Sequence, residues 1–219
     1  MSQRLRRPTK LATAILVGAV LAMTGCGSSD ISTEDKIDGV DGGAATPAPK
    51  ESHTENQQPS VDFDLPDDVK VEISNENPKD PAEEAILAAH ADILMARQKL
   101  FTDREEADKW LSTYFTGEAK QFYGSEVERS HEEGWTLTGT YRYYKREIVT
   151  SSGDVAVVEY CEDQSKAFGR DIDTGEVAKT SASPDDYRRY TATLYKDPGG
   201  LNIWQMESFD VERGAVECQ

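Results

Sequence analysis

From residue 80 onward the chain alternates between two hydrophobic periods. Asp80-Pro81-Ala82-Glu83 reads as a helix start, with a capping carboxylate, proline at the first position and glutamate at the third. Ile86, Ala89, Ile93 and Leu100 then form one apolar stripe, flanked by Leu87, His90, Leu94 and Phe101, so this helix should be well buried. Thr102-Asp103-Arg104-Glu105 repeats the capping signal, and Ala107, Trp110, Leu111, Tyr114 and Phe115 follow at helical spacing. A third helix is expected from about 117 to 133, built on Ala119, Phe122, Tyr123 and Val127 and stopped by Gly134.

Beyond Gly134 the period shortens to that of strands. Residues 135–150 are rich in Thr, Tyr, Ile and Val, and 154–162 read as a second strand. Residues 168–179 suggest a hairpin turning at Asp173-Thr174-Gly175. Two further strands, 187–196 and 201–212, are joined by Asp197-Pro198-Gly199-Gly200. Helices followed by a run of antiparallel strands give an α+β class, and about 140 residues suffice for one core. The domain is therefore placed at 80–219.

The chain before residue 80 has a different character. Phe63 is the only one of the 18 aromatic residues that precedes residue 101, and the stretch from 26 to 79 is acidic and carries Pro, Gly, Ser and Thr. Such a segment buries too little apolar surface to offset its ordering entropy and reads as a tether. About 50 flexible residues span roughly 40 Å. Within it, Val61-Asp62-Phe63-Asp64-Leu65 and Val69, Val71 and Ile73 alternate, so part of 61–73 is expected to dock on the domain.

Residues 1–25 read as an export signal: Arg4, Arg6, Arg7 and Lys10 precede an apolar run from Leu11 to Ala22. The run falls short of the ~20 residues that cross a bilayer as a helix. Cys26, after Met23-Thr24-Gly25, resembles the cysteine of a bacterial lipobox, which is lipidated and becomes the first residue of the mature protein. The alternative is an ordinary secretory signal with Cys26 incidental. The lipobox resemblance implies a protein held on the outer face of the cytoplasmic membrane, its partner there the membrane itself through a diacylglycerol, and two chains give stable anchoring.

Charge narrows the partners. The chain carries −17, and because its first 25 residues hold four basic and no acidic side chains, the remainder carries 20 basic against 41 acidic, or −21. This argues against nucleic acid, whose binding rests on neutralised phosphates, and against a polybasic headgroup site. With Cys26 lipidated, Cys161 and Cys218 remain as a disulfide pair in an oxidising compartment or as two buried thiols.

Several segments resemble a group of secreted or lipid-anchored actinobacterial proteins of unsettled function with a nuclear transport factor 2-like, or SnoaL-like, domain. They include Leu65-Pro66-Asp67-Asp68-Val69, Thr138-Gly139-Thr140-Tyr141-Arg142-Tyr143, the run from Tyr160 to Lys166, Trp204-Gln205 and Arg213-Gly214-Ala215 with Cys218. The resemblance implies three helices packed in a curved, cone-shaped antiparallel sheet, and the Cys161–Cys218 disulfide. It implies no activity, because the superfamily holds isomerases, cyclases, dehydratases and binding domains.

Candidate chemistry is sparse. Tyr143, Tyr160, Asp163 and Trp204 are the residues a pocket inside the cone would use, with Glu162 or Asp163 as proton acceptor and a tyrosine as donor. The structural alternative has Asp163 and Ser165 binding turn backbone. His90 reads either as a base or as a satisfied core histidine. Asp171 to Glu176 begins like a calcium loop, but Ala182 falls where the bidentate glutamate belongs. No catalytic residue, cofactor or metal site is assigned. The leading expectation is a non-catalytic binding domain for an envelope protein or small molecule. The alternatives are a SnoaL-like or ketosteroid-isomerase-like enzyme and a scaffold of a secretion or conjugation machine. Cys26→Ser should leave the protein unprocessed or release it from membranes; a normally processed mutant that still fractionates with membranes would exclude lipid anchoring there.

Overall fold

The computed structural model describes residues 60–199 and 203–219. The segments read as an export signal and as most of a tether, with Cys26 between them, lie outside the described residues.

Three helices come first. α1 (Pro81–Thr102) starts where Asp80 accepts the amides of Ala82 and Glu83 at 2.8 and 3.0 Å. The second capping site differs from the expectation. Thr102 is the last residue of α1 and bonds back to Gln98, and it is Asp103 that accepts the Glu105 and Glu106 amides ahead of α2 (Ala107–Tyr114). α3 (Gly117–Glu132) buries Ala119, Tyr123 and Val127. Phe122, expected on that stripe, is 50% exposed and meets Phe209 edge-on at 5.2 Å.

Six strands among the described residues form one sheet in the order β1-β2-β3-β5-β6, with β4 on β3. They are β1 (Val69–Ile73), β2 (Trp135–Ser152), β3 (Val155–Asp171), β4 (Val177–Ala178), β5 (Tyr187–Lys196) and β6 (Trp204–Arg213). Two expectations are corrected. Residues 155–171 are one long strand with no break at 163–167, and the hairpin expected over 168–179 is the end of that strand: the chain turns through Asp173-Thr174-Gly175, and Val177 and Ala178 return to pair with Arg170 and Gly169. The sheet is also mixed: β1 runs parallel to β2, Val69 opposite Gly139. The three helices between them provide the long crossover that parallel neighbours require.

Register breaks in β2 at Thr140/Arg142, Tyr144/Glu147 and Ile148/Thr150, and one between β5 and β6 at Thr193/Leu194, mark bulges that bend the long strands. Gly139 sits beside the first with φ +93°, where a Cβ would fall 2.1 Å from the Lys166 carbonyl oxygen. α1 and α3 both pack on β2 and β6 across the concave face.

The segment before β1 lies on this core. Phe63 is 2% exposed, with its ring 5.0 Å from that of Trp110 and 5.8 Å from that of Tyr114. α1 holds the backbone beside it: Asp92 accepts the Ser60 amide at 2.7 Å, and Lys99 Nζ donates to the Asp64 carbonyl at 3.0 Å. At the other end Cys161 and Cys218 are disulfide-bonded, Cα to Cα 5.5 Å. Closing that 57-residue separation is worth roughly 4 kcal/mol in the chain-entropy estimate. Tyr144 donates its hydroxyl to the Cys218 carbonyl, and Arg189 pairs with Glu217 at 3.1 Å, so the C-terminus is fixed to the convex side of β2 and β5.

Phe63→Ala should cost about 3–5 kcal/mol, as deletion of a buried phenylalanine does. Chemical denaturation is the measurement, and a loss below about 1 kcal/mol would mean that the segment is not part of the cooperative core.

Candidate functional site

The concave face carries a buried polar cluster. Along β3 the side chains of Ala156, Val158, Tyr160 and Glu162 point inward, and β2 sets Tyr143 opposite Glu162. α1 lies over them. Its positions 86, 90, 93, 97 and 100 recur at helical spacing, so His90 and Arg97 enter the same interior as Ile86, Ile93 and Leu100.

Arg97 is the centre of the cluster. One of its terminal nitrogens donates to Glu162 Oε1 at 2.6 Å and to the Tyr143 hydroxyl at 3.1 Å. Gln98 Nε2 also donates to that hydroxyl. The guanidinium lies 5.8 Å from the Tyr123 ring centre and 5.7 Å from that of Tyr190, within cation–π range. The Glu162 side chain is 0% exposed and that of Arg97 11%. Tyr160 stacks on Tyr190, ring centres 5.0 Å apart and planes at 4°, and meets the Tyr143 ring at 6.1 Å and His90 at 4.7 Å.

These surroundings set the protonation states. Burial alone would push the Glu162 carboxyl up, but the adjoining Arg97 charge outweighs it and holds the pKa below the ordinary carboxylate value. Burial drives the hydroxyls of Tyr143 and Tyr160 well above 10, so both stay protonated. His90 is pushed well below 6.5, first by burial and then by the Arg146 charge, and is neutral. Arg146 is itself buried, donating to the Leu87 and Ser74 carbonyls at 2.9 Å each. Its pKa falls to about 10, through burial partly offset by Glu76, which leaves it charged at neutral pH. Four of the cluster's residues carry buried polar atoms with no hydrogen-bond partner among the described residues: both His90 nitrogens, Gln98 Oε1, the Tyr160 hydroxyl and Glu162 Oε2.

Of the residues expected to line a pocket, Tyr143 and Tyr160 meet here. Asp163 does not: it faces the other side of the sheet, accepting the Ser165 amide at 2.8 Å and pairing with Arg142 at 3.2 Å. The step of one residue between inward Glu162 and outward Asp163 is the strand alternation itself. Trp204 is buried elsewhere, in a groove with Ala88, Ala89 and Tyr114. His90 is a core residue, but with neither nitrogen bonded it is not the satisfied one expected. Asp171 caps the turn into β4 by accepting the Thr174 amide and hydroxyl at 2.7 and 2.8 Å. Among the described residues no group of three His, Cys, Asp or Glu side chains is placed to hold a metal. Sequence reasoning missed Arg97, Gln98 and Arg146. The spacing of Arg97 from Ile93 and Leu100 was the available signal.

No protein-family model matches the chain, and no curated protein is significantly similar to it in sequence. Three similar solved structures are an intermembrane-space region, a ketosteroid isomerase-like protein and Aln2. The intermembrane space region of the chloroplast protein ARC6 is 11% identical at a TM-score of 0.42, over 64% of this chain and 98% of that one. The ketosteroid isomerase-like protein from Erwinia carotovora atroseptica is 19% identical at 0.37, over 59% and 94%. Aln2 from a Streptomyces species is 10% identical at 0.42, over 63% and 94%. At these values they carry no argument about activity, and the site is read from its own residues.

Glu162→Gln leaves Arg97 buried beside a neutral amide and should cost about 3–5 kcal/mol, as breaking a buried pair does. The sign with pH follows from the depressed carboxyl. Its stabilisation is complete above the unfolded value of roughly 4.3 and is lost as pH falls through the lower folded value. Denaturant titrations at pH 7 and below about pH 4 should show the wild type losing more of its advantage in acid than the mutant. An equal acid loss in both would remove Glu162 from the pairing.

Proposed function

We propose that this chain is a lipid-anchored protein on the outer face of the cytoplasmic membrane, whose cone-shaped, nuclear transport factor 2-like domain binds an envelope protein or small molecule without catalysing a reaction. The anchoring rests on the lipobox-like residues around Cys26. The absence of catalysis rests on one observation, the Arg97–Glu162 contact. A general base works best with a pKa near the ambient pH and within reach of the proton it takes. Glu162 is fully buried, its pKa lies below the ordinary value, and one oxygen is occupied by Arg97 at 2.6 Å. Tyr143 accepts from both Arg97 and Gln98. The interior carboxylate and its tyrosine are thus engaged with each other's neighbours.

A second reading, a SnoaL-like or ketosteroid-isomerase-like enzyme of small molecules, is favoured by Glu162 Oε2 and the Tyr160 hydroxyl. Both are buried polar atoms with no partner among the described residues, and such atoms call for an ordered water or ligand.

Tyr143→Phe separates the two readings, because it removes the hydroxyl that would act as proton donor and keeps the ring. Photo-crosslinkers at exposed positions of the wild type and of Tyr143→Phe should capture the same envelope partners in cells. A small molecule that co-purifies with the wild type and is turned over by it but not by Tyr143→Phe would replace the binding reading with the enzyme one.

A further inference from the structure

Two surface grooves meet at Arg104 and His131, on the side of the domain where α1 ends. The first, about 480 Å³, lies between the C-terminal end of α1 and the start of β2. Its charged lining is Arg104 and Arg170, with His131 beside them, and among the described residues no carboxylate lines it. That is unusual on a chain with 41 acidic against 24 basic residues. Phe101 and Ile172 give it apolar surface, and Ile172 is 50% exposed. Its hydroxyls are already used: Thr136 donates to the Phe101 carbonyl at 2.9 Å and Thr102 to that of Gln98 at 3.0 Å. The donors left to meet a ligand are therefore cationic. Arg170 is held in place by Asp68 at 2.7 Å. His131 has a depressed pKa, first through burial and then through the Arg104 charge, so it meets a ligand as a neutral ring beside Arg104 in the same lining.

The second groove, about 490 Å³, runs between α2 and α3 and shares Arg104 and His131. Its floor is Leu100, Ala107, Leu111 and Val127, and its rim carries Asp108, Glu128 and Glu132. Both volumes suit a small molecule. A ligand entering here meets cations at the junction, hydrocarbon along one arm and carboxylates at that arm's edge. The acidic rim repels a second negative charge, so the grooves select for one anionic head on an apolar body.

We propose that the junction of these grooves binds a monocarboxylate with an alkyl tail, its head on Arg104 and Arg170 beside His131 and its tail along Leu100, Leu111 and Val127. The Arg104 guanidinium offers the planar fork that fits a carboxylate, and Arg170, bonded to Asp68 through one terminal nitrogen, adds a second positive charge. The proposal rests on the binding role given above but uses neither Arg97 nor Glu162, so the two fail separately. Unchanged envelope partners without ligand binding here would sink the groove alone.

The test is calorimetric titration of the full chain carrying Cys26→Ser, so that no attached acyl chain competes. The probes are sodium decanoate, decan-1-ol and decanedioate. Decanoate should bind saturably and more tightly than either of the others. Arg104→Gln should weaken it about tenfold or more, the expected loss of a charge-assisted hydrogen bond. Ile172→Glu, at a half-exposed position, should do the same by placing a carboxylate among the cations. Unfolding midpoints would verify that both variants fold, and if Arg104→Gln does not, Ile172→Glu carries the test. No saturable decanoate binding, equal affinity for decan-1-ol, or wild-type affinity in the folded variants would each overturn the proposal.

Discussion

A carboxylate at zero exposure is stable only with a charge to meet it, and in this domain Arg97 is that charge. The contact joins α1 to β3, and through Tyr143 it joins both to β2. Each ion would cost several kcal/mol if buried alone. The packing of helix on sheet is therefore fixed to the one arrangement that keeps 2.6 Å between them. The tyrosines complete the arrangement. Tyr123 and Tyr190 place ring faces near the guanidinium, and Tyr160 stacks on Tyr190. An apolar interior of the same volume could be as stable, but it would tolerate helix shifts that this one does not.

Two clasps, one ahead of α1 and one at the C-terminus, protect that interior. Phe63 seals the side where α2 meets the preceding segment, and β1 extends the sheet beyond β2. The Cys161–Cys218 bond fixes the C-terminus to the strand that carries Glu162, one residue away on the opposite face. Both clasps act on β2 and β3, the long, bulged strands most in need of restraint. Among the described residues neither clasp covers the junction at Arg104 and His131, and there the surface grooves open.

The α+β class, the three helices and the strand-rich second half were legible because they rest on period: about 3.6 from Asp80 to Gly134 and about 2 thereafter. The disposition of the pocket residues was not. Whether Glu162 or Asp163 faces inward depends on a single residue of register, which bulges in β2 shift further. The parallel pairing of β1 was invisible because Val69, Val71 and Ile73 alternate equally well in either direction. Residues 163–171 carry polar side chains, Asp163, Gln164, Ser165 and Lys166, that interrupt a strand signal although the backbone continues straight through them. Arg97 was overlooked because charge was read as exposure, when its helical spacing placed it among buried neighbours.

The same cluster also indicates how near a structural pair lies to a catalytic one. Burial pushes Glu162 up and Arg97 pulls it down, and the second effect prevails. Take away the guanidinium and only burial remains, which moves a carboxyl toward the neutral range where general bases operate. The protonated hydroxyls of Tyr143 and Tyr160 would still stand beside it. Glu162, Tyr143 and Tyr160 therefore stand together on the concave face whatever charge faces them. In this chain the cation at position 97 holds that carboxyl in its ionised form. The protonation state of the carboxylate is thus decided by the charge opposite it rather than by the architecture around it.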